Sequence, residues 1–167
     1  MQEKVNALMI KSVDYGDNDK ILTLFTLEKG VICAKIRGVK KAGAKLKFAS
    51  EPFCFAEYIL LNKNGMYSVI NASLFDGFFP LRLDITKFYA GGVALEFVKK
   101  FCPENVTAEK IFIDLIKMLK ILTYGESSPE SVLLVFLISA LAEIGYGITF
   151  SACSTCGDKI SRPFFDF

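Results

Sequence analysis

Over its first 75 or so residues the chain alternates apolar and polar positions at a period of two. Residues 31–36 put Val31, Cys33 and Lys35 on one face of a strand and Ile32, Ala34 and Ile36 on the other. Residues 21–26 do the same, with Ile21, Thr23 and Phe25 opposite Leu22, Leu24 and Thr26. An earlier strand, VNALMIKSV, runs into the turn-rich cluster DYGDNDK. Two later strands in EPFCFAEYILLNKNGMYSVINAS meet across Asn64-Gly65, the strongest short hairpin signal. Five short strands with a long excursion after the third predict a small, closed or nearly closed barrel, and both OB-like and SH3-like barrels fit that pattern.

Near Phe75 the period changes to that of helices, and Pro80 marks a boundary between residues 1–78 and 79–167. The first predicted helix, ITKFYAGGVALEFVKKF, has Asp84 as its N-cap and Pro103 just past its end. Its Gly91-Gly92 pair implies close packing or a kink. A second helix covers 107–124, with Ile111, Leu115, Met118, Leu119 and Leu122 along one face. Thr107 is followed three residues on by Lys110, so a full capping box is absent. Ser128 caps a third helix that starts at Pro129 and ends at Gly145. That helix is apolar on nearly every side, which places it at the centre of a bundle. The class is α+β, a five-stranded barrel followed by an all-α domain.

Composition narrows the chemistry. With 52% hydrophobic and 23% charged residues in 167, the chain can bury a real core and is not disordered. It has no His, which removes Ser-His-Asp and Cys-His catalysis and leaves only Cys or carboxylate as metal ligands. The N-terminus MQEKVNALMIKS lacks the apolar run of a signal peptide. The apolar stretch 132–142 is far short of the ~20 residues that cross a bilayer. Five scattered cysteines do not form a secreted disulfide framework, so a soluble, cytoplasmic chain is expected. Cys33, Cys54 and Cys102 read as small core residues.

The net charge of +2 hides a polarised molecule. Lys29, Lys35, Arg37, Lys40, Lys41, Lys45 and Lys47 fall within residues 29–47, where no acidic residue occurs. Residues 1–75 hold 11 basic against 7 acidic side chains, and residues 76–167 hold 9 against 11. Such a surface attracts phosphate backbones through counterion release, although a lysine-rich loop also keeps a strand edge soluble.

Cys153-Ser-Thr-Cys156-Gly157 spaces two thiolates to face one tetrahedral ion, and the following Gly relieves the turn of a zinc knuckle. One such pair is half a site, and no Cys or His follows it. A bare turn is the second reading. A redox pair is the third, since it belongs at a helix N-terminus after a strand, whereas this one follows a helix and a loop. The abrupt apolar end, FFDF, reads as a truncation before a second ligand pair. DYGDNDK lacks the spacing of a calcium loop, and neither a phosphate-cradling Gly motif nor a paired-carboxylate constellation is present. Catalysis is therefore not expected.

The order ALMIKSVDYGDNDKILTLFTLEKG, then IRGVKKAGAKLKF, then EPFCFAEYILLNKNGMYSVINA, then helices and IGYGITFSACSTCG resembles the RecO family of bacterial DNA repair proteins over essentially the whole chain. Tyr15-Gly16, Asp19, Thr23, Phe25, Gly30 and Arg37-Gly38 carry it most specifically, followed by Gly145-Tyr146 and Cys153-x-x-Cys156-Gly157. The resemblance implies an N-terminal OB fold, a helical domain and, in many members, a four-cysteine zinc module. It implies a recombination mediator without turnover, one that binds single- and double-stranded DNA and anneals complementary strands. Such a mediator helps load RecA onto strands coated by the single-stranded-DNA-binding protein SSB, engages that protein's acidic C-terminal tail and works with RecR.

On this chain the DNA-contacting role falls on Lys35, Arg37, Lys40, Lys41, Lys45 and Lys47, while Lys29 drops out as a turn residue before the strand. Phe48 and Tyr58 are candidate stacking faces, with core packing as the alternative. Lys99, Lys100, Lys117 and Lys120 are candidates for the acidic tail. Cys153 and Cys156 carry over as zinc ligands only in the intact pattern, because family members run longer and bring the second cysteine pair. An uncovered apolar face over 132–144 predicts dimerisation. Two other functions fit the same residues: a scaffold that recognises acidic peptides, and a thiol oxidoreductase using Cys153 and Cys156.

Overall fold

The structure, a computed structural model, describes residues 2–148, 151–153 and 156–159. Five strands, β1 (Gln2–Tyr15), β2 (Asp19–Thr26), β3 (Gly30–Ile36), β4 (Phe55–Lys63) and β5 (Met66–Asp76), close into a barrel in the order β1-β2-β3-β5-β4. All neighbours are antiparallel except β3 and β5, which run parallel from Ala34↔Tyr67 to Ile36↔Val69. This five-stranded Greek-key closure is the OB fold, and it removes the SH3-like alternative. Strand β1 serves both neighbours, and its register slips between Met9 and Lys11, a bulge that lets one long strand curve around the barrel. Asn64 and Gly65 both take positive φ, 51° and 81°, as a two-residue hairpin turn requires.

The alternation has the consequence expected of it. Ile32, Ala34 and Ile36 point into the barrel with Leu22, Leu24 and Leu60, and all six are buried. Tyr58 lies fully buried among them, its hydroxyl donating to the Ala49 carbonyl at 2.9 Å. Burial pushes its phenol pKa up. It therefore offers no stacking face. Cys54 and Cys102 are buried, but Cys33 is exposed, because β3 parity turns it away from the barrel interior.

Helices α1 (Ile85–Phe101), α2 (Glu109–Tyr124) and α3 (Pro129–Glu143) pack under the barrel. Asp84 caps α1 by accepting the Thr86 and Lys87 N–H groups at 2.9 and 3.0 Å, and Ser128 caps α3. Helix α2 starts at Glu109, two residues later than the pattern implied, with no side-chain cap. Helix α1 runs unbroken through Gly91-Gly92. A Cβ on Gly91 would come within 2.9 Å of the Phe53 ring, so this glycine serves close packing.

The bundle's centre is α2, which buries Ile111, Phe112, Leu115, Ile116, Met118, Leu119 and Leu122. Only Phe136 and Ala140 of α3 are buried, so the all-round apolar helix lies on the flank, not at the centre. Its length of apolar sequence reflects composition, while the longer core contact goes to the amphipathic α2. Leu134 and Val135 are exposed there.

A shared core joins the two parts. Leu8, Ile10, Phe25 and Val31, on the outer face of the barrel, pack with α1 and α2. Phe25 meets Phe112 edge-on at 5.3 Å between ring centroids. The α1–α2 loop then clasps β3, with the Asn105 N–H donating to the Val31 carbonyl at 3.0 Å.

Candidate nucleic-acid interface

The outer face of β1, β2 and β3 is split in two. Its lower half, Leu8, Phe25 and Val31, is covered by the helices. Its upper half is open, with cross-strand rows Lys11–Thr23–Cys33 and Val13–Ile21–Lys35. OB barrels take oligonucleotides and oligosaccharides on the face of strands 2 and 3 with the β1–β2 and β4–β5 loops. The chain leaves that face at Ile36 and enters the basic loop, residues 37–46.

The loop is pinned by its apolar residues and displays its charges. Val39 and Ala49 are buried in the barrel core, with Leu46 and Phe48 packed half-buried against it. Phe48 thus gives the core a share of its ring. Between these anchors Arg37, Lys40, Lys41, Lys45 and Lys47 are exposed, and Lys35 is partly so.

The six basic residues are not equivalent. The Lys35 ammonium sits 2.8 Å from the Asp19 carboxylate, and Lys40 sits 2.7 Å from Asp14. Asp19 also accepts the Gly38 N–H at 2.9 Å, and the Lys40 N–H donates to the Asn18 carbonyl at 3.1 Å. The β1–β2 turn therefore tethers the start of the basic loop. The hydrogen bond from Lys40 holds the Asp14 carboxyl below its ordinary pKa, and those from Lys35 and Gly38 do the same for Asp19. Among the described residues, no ion pair involves Arg37, Lys41, Lys45 or Lys47. Lys29 pairs instead with Glu3 at 2.7 Å and reaches the Tyr67 hydroxyl at 3.4 Å, away from this surface.

Two residues of the open face escaped the charge-run argument. Lys11 is an exposed cation in the row of Cys33. Tyr15 stands at the end of β1 with the Lys35 ammonium 4.4 Å from its ring centroid. Strand parity is the signal for both, once the register with β2 is known.

The helical candidates do not form one patch. Lys99 is paired with Glu96 at 2.9 Å. Lys100 lies on an apolar groove of about 810 Å³ between α1 and the barrel, lined by Phe53, Phe88, Tyr89 and Phe101. Lys117 lines a different groove, about 390 Å³, between α2 and α3, and Lys120 is exposed elsewhere on α2.

Around the cysteine pair, the Gly157 N–H donates to the Cys153 carbonyl at 2.9 Å and the Cys153 N–H to the Asp158 carbonyl at 2.8 Å. Gly157 takes φ 79°, a left-handed conformation that glycine adopts without a Cβ penalty. Cys153 is half-buried and Cys156 exposed. Among the described residues no cluster of three or more Cys, Asp or Glu side chains is placed to hold a metal ion. Two thiols are half of the four-ligand thiolate set that a structural zinc takes. Among the described residues, no helix is long and apolar enough to cross a membrane.

Taken together, the architecture is that of an OB-fold protein with an appended helical domain and a basic loop at the mouth of its open face. Comparison with known proteins narrows this to a family. Residues 1–78 match the family model for the recombination protein O N terminal domain, and residues 82–167 match that for its C-terminal domain. The chain belongs to the RecO family of DNA repair proteins. It is 31% identical over 159 residues to the DNA repair protein RecO of Clostridium novyi, covering 95% of this chain and 62% of that one. The RecO of Acetivibrio thermocellus is 27% identical, with 98% and 66% covered, and that of Shouchella clausii 28%, with 98% and 63%. The chain thus spans somewhat under two thirds of the length of these curated relatives.

Proposed function

We propose that this chain binds single- and double-stranded DNA through the open OB face and the basic loop, and that it acts as a recombination mediator without catalytic turnover. The observation that carries the reading is the set Arg37, Lys41, Lys45 and Lys47, exposed beside the face and free of ion pairs among the described residues. Phosphates that approach them release condensed counterions without first breaking an internal salt bridge. Lys35 and Lys40 join once their carboxylate partners are displaced. Neutralising the backbone of one strand lowers its repulsion of a second, which is what annealing requires. In the same reading the chain helps load RecA onto SSB-coated DNA, together with RecR, in the bacterial cytoplasm.

The groove beside Lys100 is the candidate seat for an acidic tail such as that of SSB. Lys100 lines it together with Glu96, whose charge is met by Lys99 at 2.9 Å, and Phe53, Phe88 and Tyr89 supply its apolar walls. Cys153 and Cys156 would supply two of the four thiolates of a structural zinc, which would fix the knuckle and deprotonate both thiols. The exposed Leu134 and Val135 on α3 are the place for self-association.

Anisotropy titration of a labelled oligonucleotide tests the central claim. The expected log-log salt slope on single strands is about −3, for four neutralised phosphates. Reversing Arg37, Lys41 and Lys45 to Glu is expected to weaken binding at least tenfold and flatten that slope. Unchanged affinity in this triple variant would sink the assignment of the surface.

A further inference from the structure

We infer that Tyr15 is a base-stacking platform that makes the open face selective for unpaired strands, an inference that rests on the nucleic-acid reading above. Tyr15 ends β1 on the outer face, opposite Asp19 of β2, and is 52% exposed. The other barrel aromatics near the site are committed elsewhere. Tyr58 and Phe25 are fully buried, Phe48 is packed against the core, and the Tyr67 hydroxyl is held by Lys29.

The surroundings suit a nucleotide. The Lys35 ammonium lies 4.4 Å from the Tyr15 ring centroid, with its charge shared by Asp19 at 2.8 Å. Val13, half exposed, and Ile21 extend an apolar floor from the ring along the face. Arg37, the residue after β3, adds an exposed cation beside Lys35. A base stacked on Tyr15 therefore has cations within reach of its phosphate, and the phosphate competes with Asp19 for Lys35. The Lys35 cation lies over one face of the ring, so a base stacks on the opposite face and the ring is held between the two.

Duplex DNA presents phosphates but no free base face, since its bases are already stacked and paired. Backbone charge binds both forms, whereas an exposed ring rewards only the unpaired one. Tyr15 is thus the residue on this surface that can tell them apart.

The test compares a dT oligonucleotide with a fully paired linear duplex much longer than one binding site, titrated into wild type, Tyr15→Ala, Tyr15→Phe and the Arg37, Lys41, Lys45 reversal. Tyr15→Ala is expected to lose roughly tenfold in single-strand affinity while duplex affinity holds. Tyr15→Phe keeps the ring and is expected to bind both as wild type does. Because the chain has six Tyr and no Trp, single-strand binding should also quench tyrosine emission, and less so in Tyr15→Ala. Equal single-strand affinity of Tyr15→Ala and wild type would overturn the inference, as would parallel loss on both forms. In either case a loss confined to the charge-reversal variant would leave the nucleic-acid reading standing, whereas wild type that binds neither oligonucleotide would end both.

Discussion

The Asp19 carboxylate holds the Lys35 ammonium at 2.8 Å, and the same side chain accepts the Gly38 N–H at 2.9 Å. One acid therefore both fixes the start of the basic loop and cancels a cation of the open face. Replacing it with Asn keeps an acceptor for Gly38 and removes the charge. Asp19→Asn is expected to tighten single-strand binding a few-fold and to steepen the salt slope by about 0.7, one neutralised phosphate. Asp14→Asn should do the same through Lys40. A slope unchanged in both variants would mean that the two lysines never meet phosphate.

The same pair fixes a pH expectation. Hydrogen bonds from Lys35 and Lys40 depress the folded pKa values of Asp19 and Asp14 below 3.8. For a depressed carboxyl the stabilisation is present above the unfolded value and is lost as pH falls through the folded one. The tether should therefore persist unchanged from pH 8 to 5 and release only below about pH 3.8. Carboxyl chemical shifts followed by NMR would show it. A midpoint for Asp19 above that of a model carboxyl would contradict the geometry.

Gly30 marks a close approach of the barrel to the α1–α2 loop. A Cβ there would collide with the Val106 carbonyl oxygen, and its φ is +67°. Gly16 has nearly the same φ, +66°, with open space around it. Gly16→Ala is expected to cost only the left-handed penalty, about 1–2 kcal/mol. Gly30→Ala adds a backbone clash that must push the α1–α2 loop off β3, so its loss in urea unfolding should exceed that of Gly16→Ala clearly. Equal losses would show that the loop moves freely.

This contrast also marks what could be read in advance. Alternation at Ile32, Ala34 and Ile36, the Asn64-Gly65 turn and the caps at Asp84 and Ser128 are local signals, written within a few residues, and the structure follows them. Gly30 against Val106 joins positions far apart in the chain, as does Lys35 against Asp19, and no local pattern encodes either. The apolar run of α3 pointed to the bundle centre, yet burial is decided by which neighbours a helix finds, and α2 found more of them. Charge located the basic loop but not its division into paired Lys35 and Lys40 and unpaired Arg37, Lys41, Lys45 and Lys47, because the acids come from a different turn.

The cysteines separate the zinc reading from a bare turn. Burial raises the thiol pKa of Cys54, and that of Cys102 to about 11, which leaves both largely protonated and shielded near neutral pH. Cys33 and Cys156 are exposed and Cys153 is half-buried. Brief alkylation at pH 8 of the folded chain should therefore label Cys33 and Cys156 first, Cys153 more slowly, and Cys54 and Cys102 only on unfolding. Zinc added beforehand is expected to protect Cys153 and Cys156 together only where a second cysteine pair completes the tetrahedron, and to leave Cys33 as reactive as before, since Cys33 lies on β3 of the barrel, on a different element from the Cys153–Cys156 turn. Protection of the pair with release of about one proton per thiol bound would support thiolate ligation. Labelling of all three at unchanged rates with that second pair present would reduce the Cys153–Cys156 segment to a turn.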